Sequence, residues 1–388
     1  MGGGYCNDKL ATNGWVRTCA EERYLYQKKF NEDLVRLSVY VDDFIAGGPE
    51  SVMPEVWSEI KSLLHMEDET EVGKFLGIDI KLNELDESTK ILIFSQCSYA
   101  ESIVDEYKKD MNITKPLKKV DAPFFFSEVP GDDLWEKGKF AEKAARYVGK
   151  LMYLQRGSRP DIAFIVCKLA RCVSCWCKVH DIMLTRIMQY LQHTYNYGLH
   201  YRINTNDNGR HENHLWVDAD HAGDIHDAKS TGGALQGVVG PDSVQAVGGA
   251  SGTFCVIDWA SKKQRATAQS SAEAEVVAIA NHIKPGIRNW QITEALMGKQ
   301  QTFRVREDSS AAIGAIRKGY SPMDYISKTQ KVRISGLHEL FHGPEAPKRG
   351  IVLSKEPSRS NLADIFTKEV DRECFLRLRD SIGVLKIE

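Results

Sequence analysis

Trp216-Val-Asp-Ala-Asp-His-Ala-Gly-Asp224 decides how the second half of the chain is read. The β-prone run at 214–217 leads straight into Asp218, and a polar turn follows before Lys229-Ser-Thr-Gly-Gly233. This pattern predicts a strand with a carboxylate just past its end. Further strands are expected at 232–239 and 254–259. A long helix is expected from about 272 to 296, bent at Pro285. Beyond it the pattern gives a strand at 303–306, helices at 310–316 and near 330–341, a strand at 351–354, and helices from 362 to the end. Three strands followed by alternating helix and strand make a mixed α/β sheet. In such sheets, ligands sit outside the carboxyl ends of the parallel strands.

Four carboxylates fall at suggestive points of this order. Asp218 and Asp308 each follow a strand. Glu275 lies in the first turn of the long helix, and Asp364 opens the last helical segment. If the two strands are parallel neighbours, Asp218 and Asp308 project from one sheet edge. Carboxylates from four separate elements make a site for paired Mg2+ ions, with Mn2+ as an alternative, because these cations take hard oxygen ligands. Two such ions activate a water and stabilise the leaving oxygen of an in-line displacement. Taken singly, an acidic residue at a strand end or helix start is more often a cap or a solvated turn. Helical periodicity does not separate Glu275 from Glu273, since both flank the stripe of Val276, Ala280, Ile283 and Ile287. Asp220 and Asp224 are nearby and are either supporting groups or solvated.

The motifs carry more than their spacing. The stretch 216–224 with Lys229–Gly233 resembles the first strand and turn of copia-type ribonuclease H domains. Trp259-Ala-Ser-Lys-Lys-Gln-Arg-Ala-Thr-Ala-Gln-Ser-Ser-Ala-Glu-Ala-Glu275 is similar to the segment leading into their catalytic helix. Glu307-Asp-Ser-Ser-Ala-Ala-Ile313 and Asn361-Leu-Ala-Asp-Ile-Phe-Thr-Lys368 resemble their third and fourth acidic motifs. Carried over by position, the resemblance implies that Asp218, Glu275, Asp308 and Asp364 bind the metal. It selects Glu275 over Glu273 through Glu275-Val-Val-Ala-Ile279.

The upstream half resembles a reverse transcriptase of the same polyprotein. Leu37-Ser-Val-Tyr-Val-Asp-Asp-Phe-Ile-Ala-Gly47 is similar to the hairpin that presents two aspartates, here Asp42 and Asp43, to metal. Lys74-Phe-Leu-Gly-Ile-Asp-Ile80 resembles the strand pair that grips the primer. Tyr147–Leu154, Ser158-Arg-Pro-Asp-Ile-Ala163 and Gln189–Thr194 resemble the helical thumb and connection. The implied division is a partial palm (1–95), a helical thumb and connection (96–205) and a ribonuclease H-like mixed α/β domain (206–388), with α/β and α+β character together. Residues 98–201 read as helical, and 75–80 and 91–94 as paired strands. The polar stretch 204–210 marks the main boundary, and the glycines at 2–4 suggest no structure of their own. A polymerase of this family needs a third aspartate from upstream of the hairpin. None is evident before Leu34, so no polymerase activity is expected from this chain alone.

Composition limits the alternatives. The chain has 388 residues, 42% apolar and 27% charged, with a net charge of −2. No stretch is long and apolar enough for a bilayer, so an intracellular protein, cytoplasmic or nuclear, is expected. The near-neutral charge averages acidic metal ligands against local basic clusters. Lys262, Lys263 and Arg265 are candidate phosphate contacts, as is the cluster 328–333, although such clusters are more often solvated. Nine cysteines without a regular framework suggest reduced thiols. Cys172, Cys175 and Cys177 with His180 have the ligand count of a zinc site, but a helix with cysteines near its buried side is the better reading.

The resemblance breaks at 327–338, where the family's histidine and aspartate are replaced by Val332 and Ile334. His338 remains a candidate for product release. A glycine-rich stretch runs from 237 to 252. Two functions follow. One is a Mg2+-dependent nuclease cutting the RNA strand of an RNA–DNA hybrid. The other is a catalytically dead retroelement remnant that at most binds nucleic acid. Partners implied by the resemblance are the hybrid and the rest of the Pol polyprotein, including integrase, protease and the upstream reverse transcriptase.

Overall fold

Every second residue of Asp33–Tyr40 is buried, which puts Val35, Leu37 and Val39 on one face of a strand. This is β3 of a four-stranded antiparallel sheet ordered β1 (Val16–Arg17), β2 (Leu25–Phe30), β3 and β4 (Asp43–Gly47). The computed structural model describes residues 2–20, 22–125, 134–207, 209–224, 227–241, 252–323 and 325–388. They form two compact units, Met1–Lys81 with Ile287–Gln300, and Leu82–Gly286 with Gln301–Glu388.

In the first unit, Gly2–Thr12 forms α1, where the sequence suggested no structure. Leu10 secures it by packing into the core with Trp15, Tyr26 and Phe30. Helix α2 (Met53–Leu63) adds Val56 and Ile60, one turn apart on one face. The expected single strand at 75–80 is instead a hairpin. Leu76 and Gly77, with φ of 49° and 73°, turn the chain between β5 (Lys74–Phe75) and β6 (Ile78–Glu84). Positive φ at both central residues is what such a two-residue turn requires.

The second unit is a mixed sheet with helices. Its strand order is β13-β12-β9-β10-β11-β8-β7, where β7 is Thr89–Ser95, β8 Tyr197–Asn204, β9 Glu212–Ala219, β10 Thr231–Val239, β11 Phe254–Lys263, β12 Phe303–Glu307 and β13 Ile351–Lys355. Strands β9, β10 and β11 are antiparallel; β12 runs parallel to both β9 and β13. Strand β8 corrects the expectation of helix up to residue 201. The preceding helix stops at Thr194, and 199–204 pairs with β7 residue by residue. The last segment is corrected too. Leu362–Phe366 is a 3-10 turn, and the chain ends in β14 (Val384–Lys386) on β8. The glycine-rich stretch enters through β10, but its residues 242–251 lie outside the described residues.

Four helices cover one sheet face: α3 (Cys97–Asp110), α4 (Ala144–Gly157), α5 (Ala163–Ala170) and α6 (Lys178–Thr194). Their apolar residues join Trp216, Leu235, Trp259, Phe366 and Phe375 in one core. The polar turn at 204–210 therefore does not separate two cores. At the centre of the helices Arg159 is fully buried. Its Nε and one amino group grip both oxygens of Asp161 at 2.9 and 2.8 Å, and its other amino group donates to Thr194 O at 2.6 Å. Tyr190 donates its hydroxyl to Asp161 at 2.7 Å.

The other face carries the part of α7 (Ser271–Met297) up to Gly286. Gly286 lets it approach: a Cβ there would lie 3.0 Å from both Leu215 and Phe303. Gln236 bridges Gly286 O at 2.9 Å and Asn213 at 2.6 Å. After β12 come α8 (Ser310–Lys318), α9 (Ile326–Thr329), α10 (Ile334–His342), α11 (Ala346–Arg349) and, after the 3-10 turn, α12 (Arg372–Ser381). The expected helix near 330–341 is broken at Lys331, which has φ of 62°.

Gly233 marks the closest approach near the carboxylates. A Cβ on it would sit 2.6 Å from Thr367 Cγ2 and 2.9 Å from Ala363 O. Because one of these is backbone, the 3-10 turn must shift. Gly233→Ala is expected to cost about 1–3 kcal/mol of stability, the usual range for overpacking. Chemical denaturation measures this, and an unchanged midpoint would contradict the close approach.

Candidate active site

The site sits where β9 and β12, parallel neighbours, end. The ladder pairs Arg306 with Trp216, so continuing it by two residues sets Asp308 beside Asp218. Glu275 reaches the same point from the first turns of α7. Carboxylate oxygens of Asp218, Glu275 and Asp308 all lie within 4.8 Å of one another. Among the described residues this is the one group of three or more metal-ligating side chains that close.

Asp364 flanks this group from the 3-10 turn. Asn361 caps the turn by accepting Ala363 N–H at 3.1 Å, and its amide donates to Val217 O at 2.9 Å, one residue before Asp218. Thr367 donates its hydroxyl to Asp218 Oδ2. Lys368 Nζ lies 3.1 Å from Asp364 Oδ1 and 3.4 Å from Asp218 Oδ2. Burial works against the Lys368 charge, but Asp218 and Asp364 outweigh it and hold its pKa above the usual range.

Burial dominates the acids. It pushes Glu275 up to about 11, with Glu307 and Asp218 adding repulsion. Burial also takes Asp364 to about 7, reinforced by Asp218, and Asp220 to about 6. Glu307 rises to about 8, chiefly through burial, against the Ser309 N–H that favours its charge. Glu275 Oε2 is buried without a hydrogen-bond partner. Glu273 points elsewhere: its Oε2 accepts Gln269 N–H at 2.8 Å and the Tyr325 hydroxyl at 2.5 Å, tying down the start of α7.

No protein-family model matches the chain. It is 27% identical to the retrovirus-related Pol polyprotein from transposon TNT 1-94 of Nicotiana tabacum, over 93% of this chain and 25% of that polyprotein. It is 28% identical to the Pol polyprotein from transposon RE1 of Arabidopsis thaliana, over 97% of this chain and 23% of that one. Most of the chain is similar to copia-type retrotransposon Pol polyproteins. It spans about a quarter of the length of these relatives. A stretch of 132 residues is 37% identical to secreted RxLR effector protein 161 of Plasmopara viticola, covering 34% of this chain and 80% of that protein. Among solved structures, the chain is similar to RNase H1 from Halobacterium salinarum. That likeness has 13% identity and a TM-score of 0.25, and covers 40% of this chain and 94% of the other.

The remaining candidate residues are spread out. Asp42 and Asp43 are exposed at the β3–β4 turn of the first unit, after Val41, a β-branched residue at φ of 54°. Lys262 and Arg265 are exposed near the end of β11. Lys263 is paired with Asp224 at 2.6 Å and Asp227 at 2.8 Å. His338 is not brought to the carboxylates. Its Nδ1 donates to Arg317 O at 2.9 Å, at the opposite end of α8 from Asp308. Val332 and Ile334 are buried. His180 Nδ1 accepts Cys177 N–H at 2.9 Å and so closes the start of α6. Among the described residues, no helix is long and apolar enough to cross a membrane.

Sequence reasoning missed Lys368 and Thr367. Both stood in the quoted fourth motif, at three and four residues after Asp364, but a lysine beside metal ligands carries no ligand signal of its own.

The raised acids set a pH dependence. Below about pH 4, the ordinary carboxyl value, they are protonated folded and unfolded alike. Above it the unfolded chain releases protons that the fold retains, so stability falls as pH rises toward about 7 for Asp364 and about 8 for Glu307. The melting temperature in chelator is expected to drop between about pH 5 and 8 on this account. Millimolar Mg2+ is expected to flatten the slope. Identical slopes with and without Mg2+ would contradict a cation site.

Proposed function

We propose that this chain carries a ribonuclease H-like nuclease that cuts the RNA strand of an RNA–DNA hybrid with Mg2+. One observation carries the reading: Asp218, Glu275 and Asp308 converge at the carboxyl ends of parallel strands, with Asp364 alongside. The donor set fits a hard divalent cation. All ligands are carboxylate oxygens, and Glu275 Oε2 is buried with nothing to bond. When bound, such a cation supplies a water poised for attack and charge to balance the leaving oxygen.

The chain's own residues prepare the site. Thr367 fixes the Asp218 carboxylate, and the Asn361 amide locks the 3-10 turn onto β9. Lys368 neutralises Asp218 and Asp364. Gly233 and Ser261 stand in register with Asp218 across β10 and β11. Lys262 thus sits at the same sheet end, two strands or roughly 10 Å away, and Arg265 follows two residues beyond the end of β11. That spacing suits contacts to phosphates flanking the cut. Hybrid recognition would be by backbone shape and the ribose 2′-hydroxyl. Primer extension by the chain alone is not expected, since Asp42 and Asp43 have no third ligating side chain in reach among the described residues.

The test is cleavage of an end-labelled RNA–DNA hybrid, with double-stranded DNA as control. RNA-strand products with Mg2+ and none with chelator are expected. Absence of cleavage with both Mg2+ and Mn2+ would favour a catalytically dead remnant.

A further inference from the structure

One buried carboxylate has no role in the site as described. Glu307 is the last residue of β12, and strand alternation puts it on the same face as Phe303 and Val305. That face is the one α7 covers, as the contact of Phe303 with Gly286 shows. Asp308, the next residue, joins Asp218. The end of β12 therefore supplies two acids in succession, one toward Asp218 and one toward α7.

Glu307 is fully buried. Its Oε1 accepts Ser309 N–H at 2.8 Å, while Oε2 has no hydrogen-bond partner. Facing it, Glu275 is 4% exposed, and its Oε2 is also without a partner. Glu307 is the strongest charge acting on Glu275. Lys355, the residue in register with Glu307 on β13, donates to the Asp308 carbonyl. Two buried acids, one at the end of β12 and one at the start of α7, thus each hold an oxygen without a hydrogen-bond partner. Buried charge without compensation is strongly unfavourable, and a cation supplies the compensation. Mg2+ and Mn2+ sites commonly use one or two carboxylates and complete the shell with water.

We propose that Glu307 and Glu275 share a divalent cation between β12 and α7, which makes Glu307 a fifth carboxylate of the centre. Glu307 lies outside the group whose oxygens fall within 4.8 Å, and it would reach the cation from the sheet face that α7 covers. This inference rests on the reading of the acidic cluster as a metal centre, and it adds a ligand that the four-carboxylate set does not contain.

The test uses the full chain and Mn2+ as the probe. Free Mn2+ is followed by electron paramagnetic resonance, and melting is followed with Mn2+ and with chelator. Glu307→Gln keeps the shape and the Ser309 acceptor. It is expected to weaken Mn2+ binding at least about tenfold, a typical loss when a supporting group is removed from a metal centre. The rise in melting temperature on adding Mn2+ should shrink accordingly. In chelator the variant should melt at or above the wild type, since a repulsive acid is gone. If Glu307→Gln fails to fold, Glu307→Met, of similar volume, is expected to show the same loss. Mn2+ affinity equal to wild type in a folded variant would overturn the inference while leaving the nuclease reading standing. A wild type that takes up no Mn2+ would overturn both.

Discussion

Asp218→Asn is expected to abolish cleavage of the hybrid while leaving the chain folded. Asp218 is the one acid that touches every other part of the site: the group with Glu275 and Asp308, the Thr367 hydroxyl and Lys368. Removing its charge takes a ligand from the centre itself. The loss should exceed the roughly 100-fold that removal of an outer supporting group can cost. Folding should survive because Asn still accepts the Thr367 hydroxyl, and Lys368 keeps Asp364 at 3.1 Å. Single-turnover cleavage with saturating Mg2+, alongside circular dichroism, separates the two effects. Cleavage at the wild-type rate would remove Asp218 from the site and the nuclease assignment with it.

Arg159→Ala is expected to have the largest effect on stability. The guanidinium and Asp161 are fully buried, and Tyr190 and Thr194 complete their hydrogen bonds. Burial disfavours the Asp161 charge, yet Arg159 outweighs it and keeps the pKa below the usual range. Deleting one partner strands the other's charge, at a cost of about 3–5 kcal/mol. Domains of this kind have roughly 5–15 kcal/mol in total, so the urea midpoint should fall by about a fifth or more. The same logic fixes the pH response of the wild-type pair. Its contribution is full above about pH 4 and is lost as pH falls below that value. An unfolding free energy within about 1 kcal/mol of wild type, on the scale of the usual cost, would show that the network is dispensable.

Much of the site was legible because its residues sit at element ends. Asp218 and Asp308 follow β-prone runs, and the parallel ladder of β9 and β12 brings them together. The choice of Glu275 over Glu273 needed the family motif, because both acids are buried and flank the same stripe. The Gln269 N–H and the Tyr325 hydroxyl, the latter 52 positions away, show what Glu273 does. Strand β8 was hidden by its length of chain after α6 and by mixed polar and apolar residues. Its identity comes from pairing with β7 and β14, a long-range contact with no local signature. Lys368 and Glu307 were missed for a related reason. A charged side chain reads as solvated until the tertiary fold removes the water.

The ties between the 3-10 turn and β9 also bear on when the chain becomes competent during synthesis. Asn361 reaches back 144 positions to Val217, and Thr367 reaches back 149 to Asp218. Contacts of such sequence separation form late, because a long loop must close first. A ribosome-bound chain that has emerged only as far as α8 holds Asp218, Glu275 and Asp308 but lacks the segment that locks them. The carboxylate group is therefore locked only once residues 361–368 have joined the fold, long after its three acids have been made.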